Sequence, residues 1–171
     1  KMQLKVSEES RSSFLTFVRK VWPEFVAGSH HKIIAKKFED ISRGKIKRLI
    51  VNMPPRHTKS EFASNLFPAW MLGQKPKLKI IQTTHTAELS YNFGRKVRNL
   101  FDQQDFKDVF PNSALSQDSK ASGRFNTKVG GEYFAAGVGG AITGRGADLL
   151  IIDDPHSEQD ALSQTAMDNA Y

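Results

Sequence analysis

Two short apolar runs, each cut off by residues that cannot prolong a strand, constrain this chain more than any other feature. Arg48-Leu49-Ile50-Val51-Asn52-Met53 is rich in branched residues and stops at Pro54-Pro55, and Leu149-Leu150-Ile151-Ile152 stops at Asp153-Asp154-Pro155. Apolar runs of this length read as buried strands. Proline ends a sheet ladder because it has no N–H to contribute. A third run, Leu78 to Thr83, has the same character, and segments of helical period lie between the runs. Strands alternating with helices predict an α/β fold: a mostly parallel sheet with helices on both faces, whose ligands sit beyond the carboxyl ends of the strands.

The helical segments are legible from their apolar spacing. Lys5 to Lys20 reads as one amphipathic helix capped by Ser7, with Phe14, Leu15, Phe17 and Val18 on its apolar side. His30 to Ser42 turns Ile33, Ile34, Phe38 and Ile41 inward and has Gly44 just past its end. Lys59 to Leu72 sets Phe62, Leu66 and Trp70 four apart, with Pro68 placed to kink or shorten the helix. Glu88 to Asp105 presents Leu89, Phe93, Val97 and Leu100 on one side. Residues 111–131 read as loop or as an inserted hairpin, with Glu132 to Ala136 a strand turned at Gly130-Gly131. Residues 1–44 thus form an N-terminal helical segment, and residues 45–171 a core domain.

Composition narrows the chemistry. The 171 residues include no cysteine, which excludes a disulfide scaffold, a Cys-ligated zinc site, an iron–sulfur cluster and a thiol nucleophile. Lys and Arg number 25 against 18 Asp and Glu, a net charge of +7 that favours an anionic partner. No uncharged run is long and apolar enough to span a bilayer, and the charged N-terminus lacks the apolar core of a signal peptide, so a cytosolic-type protein is expected. His30 and His31 have no helical i, i+4 partner with a Glu between, so zinc is not expected there.

Strand, tight loop, then Lys59-Ser60 opening a helix is the anatomy of a phosphate-binding loop. Backbone N–H groups at a helix N-terminus face an anion, and the helix dipole stands behind them. Lys59 would reach the terminal phosphates, the Ser60 hydroxyl would ligate Mg²⁺, and Asp153 on a neighbouring strand would orient the metal and its waters. Asp154 would polarise the attacking water, with a side chain one methylene shorter than the usual Glu. Pro54, Pro55, Arg56, His57, Thr58, Lys59 and Ser60 are the residues expected to make up this phosphate-binding loop. Against the pattern G-x-x-x-x-G-K-[ST], Met53 and Thr58 replace both glycines. Thr58 is β-branched where the loop exploits glycine's freedom, so the loop is either held in a conformation that Thr tolerates or binds nucleotide weakly. The plain alternative is that Lys59-Ser60 merely opens a helix after a surface turn.

Val51-Asn52-Met53-Pro54-Pro55-Arg56-His57-Thr58-Lys59-Ser60-Glu61 resembles the M-P-P-R-H-G-K-S-E loop of bacteriophage terminase large subunits. The likeness continues in order through Thr84-His85-Thr86-Ala87-Glu88-Leu89, Phe93 to Arg98, Leu115 to Ser119, and Thr143-Gly144-Arg145-Gly146-Ala147-Asp148 to His156. It covers most of the chain from about His30 onward and departs from the family at Thr58. The resemblance implies a three-layer P-loop ATPase core of the additional-strand, catalytic-glutamate type. It implies ATP and Mg²⁺ as ligands, and double-stranded DNA, a portal protein and a small terminase subunit as partners. It also implies action in the host cytoplasm at the capsid portal, in a homo-oligomeric ring, commonly a pentamer. The chain ends 17 residues after Asp154 with no acidic nuclease cluster, so it is expected to lack DNA cleavage and the family's coupling motif.

Several residues keep two readings at this stage. Arg145, between Gly144 and Gly146, is either a catalytic guanidinium for its own or a neighbouring site, or the partner of an acid such as Asp148. Arg56 is a phosphate contact or a solvated loop cation. Phe25 or His31 stacks on the adenine, or the N-terminal helices simply pack on the sheet. The basic stretches 43–48, 75–79 and 95–98 contact DNA phosphates or form solvated faces, and 84–88 is a candidate coupling or DNA-tracking loop. Two other activities compete: a helicase-like P-loop ATPase unrelated to packaging, and a degenerate nucleotide- or DNA-binding module without turnover.

Overall fold

The computed structural model describes residues 2–140, 142–157 and 160–169; Ala141, within the glycine-rich stretch before Arg145, lies outside them. The expected first helix is two helices, α1 (Met2–Ser12) and α2 (Phe14–Val21). The break falls at Ser13, whose extended backbone and side chain cap α2 by accepting the Thr16 N–H at 3.4 Å. The Phe14 N–H turns to Glu39 Oε1 at 3.0 Å, so the first turn of α2 is satisfied from outside the helix. Ser7, expected as the cap, is buried within α1.

Helix α3 (Ser29–Ser42) ends as its sequence predicts, with Gly44 in the left-handed region at φ +73°. The helix opening at Lys59 runs to Gln74 but changes type: a π-helical stretch, Glu61–Leu66, precedes α4 (Phe67–Gln74). Pro68 has no N–H to return to the preceding turn, and the wide turn sits where that bond is missing. Helix α5 (Ala87–Leu100) is capped by Thr86 and ends short of the expected Asp105; residues 101–103 form a turn, and a separate helix, α6 (Gln104–Val109), follows.

Five strands form one sheet: β1 (Lys79–Thr84), β2 (Leu115–Ala121), β3 (Arg124–Thr127), β4 (Glu132–Gly137) and β5 (Leu149–Ile152), in the order β2-β3-β4-β1-β5. Strand β1 runs parallel to both β4 and β5, whereas β2, β3 and β4 pair antiparallel. The sheet is therefore mixed and not mostly parallel. The inserted hairpin supplies the difference: β2 and β3 lead through Gly130, at φ +93°, into β4.

The run Arg48–Met53 is not a strand, and among the described residues it pairs with none. It alternates like one, however. Leu49, Val51 and Met53 turn toward the core, and Ile50 is 87% exposed. The expected burial on both faces is replaced by packing on one side. Strand β5 is likewise only half buried, because it forms an edge: Leu150 is 55% and Ile152 59% exposed.

The two sheet faces differ. Ile80, Tyr133, Ala135, Leu149 and Ile151 enter the same core as the helices. In that core Phe14 meets Phe38, Phe62 and Trp70 edge-on at 5.3–5.5 Å between ring centres. Helix α5 lies so close to this face that a Cβ on Gly94 would stand 2.0 Å from the Ser122 carbonyl oxygen. The opposite face carries Leu150, Ile152 and Phe134, and the Arg145 guanidinium lies 3.9 Å over the Phe134 ring. Helices gather on the first face and a loop crosses the second, so the expected three layers are not seen among the described residues. No described helix is long and apolar enough to cross a membrane.

Candidate functional site

The carboxyl ends of β1 and β5 and the helix opening at Lys59 meet at one point. Asp153 N–H donates to the Thr83 carbonyl at 3.0 Å and His85 N–H to the Asp154 carbonyl at 3.2 Å, which ties the two strand tips together. Lys59, 94 residues before Asp153 in sequence, places Nζ 3.3 Å from Asp153 Oδ1 and bonds Asp154 Oδ1 as well. Asp153 is only 6% exposed, and Ser64 Oγ donates to its second oxygen at 2.8 Å. Asp154, by contrast, is open to solvent.

Partial burial pushes the Lys59 ammonium toward deprotonation. The hydrogen bond to Asp154 and the charges of both aspartates outweigh that effect and hold its pKa above the ordinary lysine value. Lys59 therefore remains a cation at any physiological pH, and it neutralises a carboxylate that would otherwise be buried alone.

Backbone strain concentrates here. The described non-glycine residues with positive φ are Arg56 (64°), Thr58 (62°) and Asp154 (44°), and all three belong to this site. Such conformations cost about 1–3 kcal/mol each and persist only where the surroundings fix them. At Thr58 the fixing group is visible. His31 Nε2 lies 2.6 Å from Thr58 Oγ1, and the hydroxyl in turn donates to the His57 carbonyl at 2.6 Å. Thr58, at the position of the pattern's second glycine, thus takes a glycine-like left-handed backbone, a conformation that a β-branched residue resists and not one it readily tolerates.

The other expected site residues fall into two groups. Pro54, Pro55, Arg56 and His57 form the exposed crest of the loop, and Ser60 is half-buried at the start of the helix. Arg145 is not brought to this site. It pairs with Glu132 at 3.2 Å, at the amino end of β4 and about 16 Å along the sheet from the Asp153 tip at 3.3 Å per residue. The acid it meets is not Asp148, which instead accepts the Lys79 N–H at 2.8 Å.

Phe25 and His31 are packed on Phe62 inside the core, with ring centres 5.2 and 4.9 Å away, and neither presents an open ring face for a base. Much of the basic surface is committed to local partners: Arg43 to Glu39, Lys45 to Asp40, Lys75 to the Ser42 carbonyl and Lys96 to Glu61. In the 84–88 segment, Thr84 is buried and Thr86 caps α5.

Sequence reasoning missed Ser64 and the link from His31 to the loop. Ser64 stands one turn beyond Ser60, the spacing that places two side chains on one helix face, and that signal was available. The His31 link had none, because nothing in the sequence pairs residues 31 and 58. Among the described residues, no three His, Cys, Asp or Glu side chains are grouped to hold a metal ion. Comparison of the chain with protein-family models, with curated proteins and with solved structures gives no match.

Proposed function

We propose that this chain binds ATP with Mg²⁺ on the loop 54–60 and hydrolyses it as the ATPase part of a terminase-type DNA-packaging motor. One observation carries the reading. A lysine that opens a helix meets a buried and an exposed aspartate at a strand tip, and the only strained non-glycine residues among those described surround the same point. Structural ion pairs do not require strained backbone, whereas functional sites accumulate it. The terminase assignment, as opposed to a bare nucleotide site, rests on the ordered sequence segments that resemble that family.

The residues present suit a magnesium ion that arrives with its nucleotide. Magnesium is commonly held by one or two carboxylates together with substrate phosphates, and does not need an all-protein cage. Asp153, with one oxygen fixed by Ser64, and the Ser60 hydroxyl would hold the ion, which supplies charge neutralisation at the phosphates. Lys59 would exchange its aspartate partners for phosphate oxygens. Asp154, exposed at the tip, would then be free to orient a water and accept its proton. Arg145, a strand's length away, would serve a neighbouring subunit's site in a ring. Double-stranded DNA, a portal protein and a small terminase subunit are the partners of this reading, which places the chain at a capsid portal in the host cytoplasm.

One observation favours the second reading, a nucleotide holder without turnover: both aspartates are already engaged by Lys59. Phosphate release measured with and without Mg²⁺ separates the two. The proposal expects Mg²⁺-dependent release that Lys59→Ala and Asp154→Asn both abolish. Equal release from wild type and both variants would remove the enzymatic reading. An unchanged rate when portal and DNA are added would leave a P-loop ATPase with no role in packaging.

A further inference from the structure

The imidazole of His31 is fixed from every side. Its Nδ1 accepts the Gly28 N–H at 2.9 Å, and its ring packs against Phe25 and Phe62 with centres 4.8 and 4.9 Å away. A neutral ring that accepts at Nδ1 carries its proton on Nε2. Nε2 is the atom 2.6 Å from Thr58 Oγ1, and it must therefore donate to the hydroxyl. The hydroxyl hydrogen is then free for the His57 carbonyl, and His30 Nε2, 3.1 Å from the same nitrogen, can only accept. Every donor in this relay has an acceptor, and burial of His31 beside His30 and His57 holds its pKa below the ordinary imidazole value, which keeps the ring neutral.

The relay ends on Thr58, one of the two loop residues, with Arg56, whose backbone is left-handed without being glycine. A β-branched side chain resists the left-handed region, which glycine enters freely. Thr58 also supplies the carbonyl that accepts the Phe62 N–H at 3.0 Å, so a shift of its backbone moves the first turn of the helix behind Lys59. The N–H groups of that turn have no partner within the helix and are the ones an anion meets.

We propose that His31 is a positioning residue for the phosphate-facing loop: its Nε2–H grips the Thr58 hydroxyl and so supplies, by a tertiary contact from α3, the conformation that glycine would supply by itself. The consequence for nucleotide affinity rests on the ATP-binding reading above. The grip itself rests only on the geometry, and it makes His31 and Thr58 one functional unit.

A double-mutant cycle on the full chain tests this. His31→Phe keeps a ring between Phe25 and Phe62 and removes the donor, His31→Gln restores an N–H near the Nε2 position, and Thr58→Gly removes both the hydroxyl and the need for it. Two quantities are read for each protein: the urea unfolding midpoint, and the affinity for a non-hydrolysable ATP analogue with Mg²⁺.

His31→Phe is expected to weaken analogue binding roughly tenfold in the Thr58 protein, the upper range for one hydrogen bond, and less than about twofold in the Thr58→Gly background. It should lower the unfolding midpoint more where Thr58 is present than in the Thr58→Gly background, where only the acceptor of the Gly28 N–H is lost, and His31→Gln should recover most of that difference and of the lost affinity. Equal losses in the two backgrounds, or no recovery with His31→Gln, would make His31 a packing residue and overturn the proposal. If no protein, wild type included, binds the analogue while the unfolding midpoints still couple, the grip stands and the nucleotide reading falls.

Discussion

The two ends of the sheet hold their charges in opposite ways. At the carboxyl end, Lys59 meets Asp153 and Asp154 through a buried carboxylate, a buried serine and three residues in strained backbone. At the amino end, Glu132 collects Arg124 at 2.6 Å and Arg145 at 3.2 Å with ordinary backbone and, on the Arg124 side, open solvent. The first arrangement costs free energy at every point: desolvation of Asp153, left-handed φ at non-glycine residues, ordering of a long lysine side chain. The second costs little and returns little, as exposed ion pairs do. Stability alone does not explain the expensive cluster, and that contrast is what supports the proposed site at the carboxyl end. It also separates the two arginines that the sequence groups with the catalytic residues, since Arg56 lies in the strained loop and Arg145 in the relaxed cluster.

The largest effect should come from Lys59→Ala. In a Mg²⁺-dependent phosphate-release assay, turnover should fall by at least roughly 100-fold, the scale for losing a fixed cation at a transferring phosphoryl group. The same substitution leaves Asp153 buried with only Ser64 as partner, so urea unfolding should also show a loss of about 1–3 kcal/mol. A variant with full stability and full turnover would place Lys59 among the idle pairs of the other end. Ser64→Ala comes next. It strips one oxygen of a buried carboxylate, with an expected loss of about 1–2 kcal/mol and impaired Mg²⁺-dependence of turnover, because Asp153 loses the contact that aims it. No change in either reading would mean that Lys59 alone orients Asp153.

How much of this was legible in the sequence varies with the physics involved. The helix from Lys59, strands β1 and β5, and Gly44 as a helix stop all follow from local spacing, and the structure contains them. The convergence of Lys59 with Asp153 was reachable because a strand ending in acids and a helix opening on lysine both report where they end. The sheet's topology was not reachable. Arg48–Met53 has the composition of a strand, but whether it enters the sheet depends on partners that no local pattern names. The split at Ser13 depends on Glu39 reaching the Phe14 N–H, a tertiary contact of the same kind. Thr58 is the informative case. The sequence marks it as a misfit in a glycine position, and only the position of His31 shows how the misfit is accommodated.

The pH response of the carboxyl end is a finer test. The folded state holds the His31 pKa below its ordinary value, so below about 6.5 the unfolded chain binds a proton that the folded protein resists. Stability then rises with pH across that window and is lost on acidification. Wild type should therefore lose more unfolding free energy between pH 7.5 and 5.5 than the His31→Gln protein does. Parallel losses would assign the acid sensitivity to other groups. Lys59 has the opposite sign. Its raised pKa contributes stability that is complete below the ordinary lysine value and fades only above it, so it adds no slope in this range.

The smallest effect should come from the amino end, and it sharpens the comparison most. Glu132→Gln removes the charge that Arg124 and Arg145 share while keeping the shape of the side chain. Glu132 is 19% exposed, but its arginines are 53% and 31% exposed, so the unfolding free energy should change by no more than about 1 kcal/mol and the change should shrink with added salt. Arg145 keeps its stacking on Phe134, a contact that does not require the carboxylate. Analogue binding by the isolated chain should stay unchanged, since the Lys59 site is a strand's length away. An assembled ring is a different matter. If Arg145 serves a neighbour, freeing it from Glu132 should alter turnover only when subunits are in contact, so the ratio of assembled to isolated rates should shift while the isolated rate holds. A change in the isolated rate would instead couple the two ends through the sheet and erase the distinction between them.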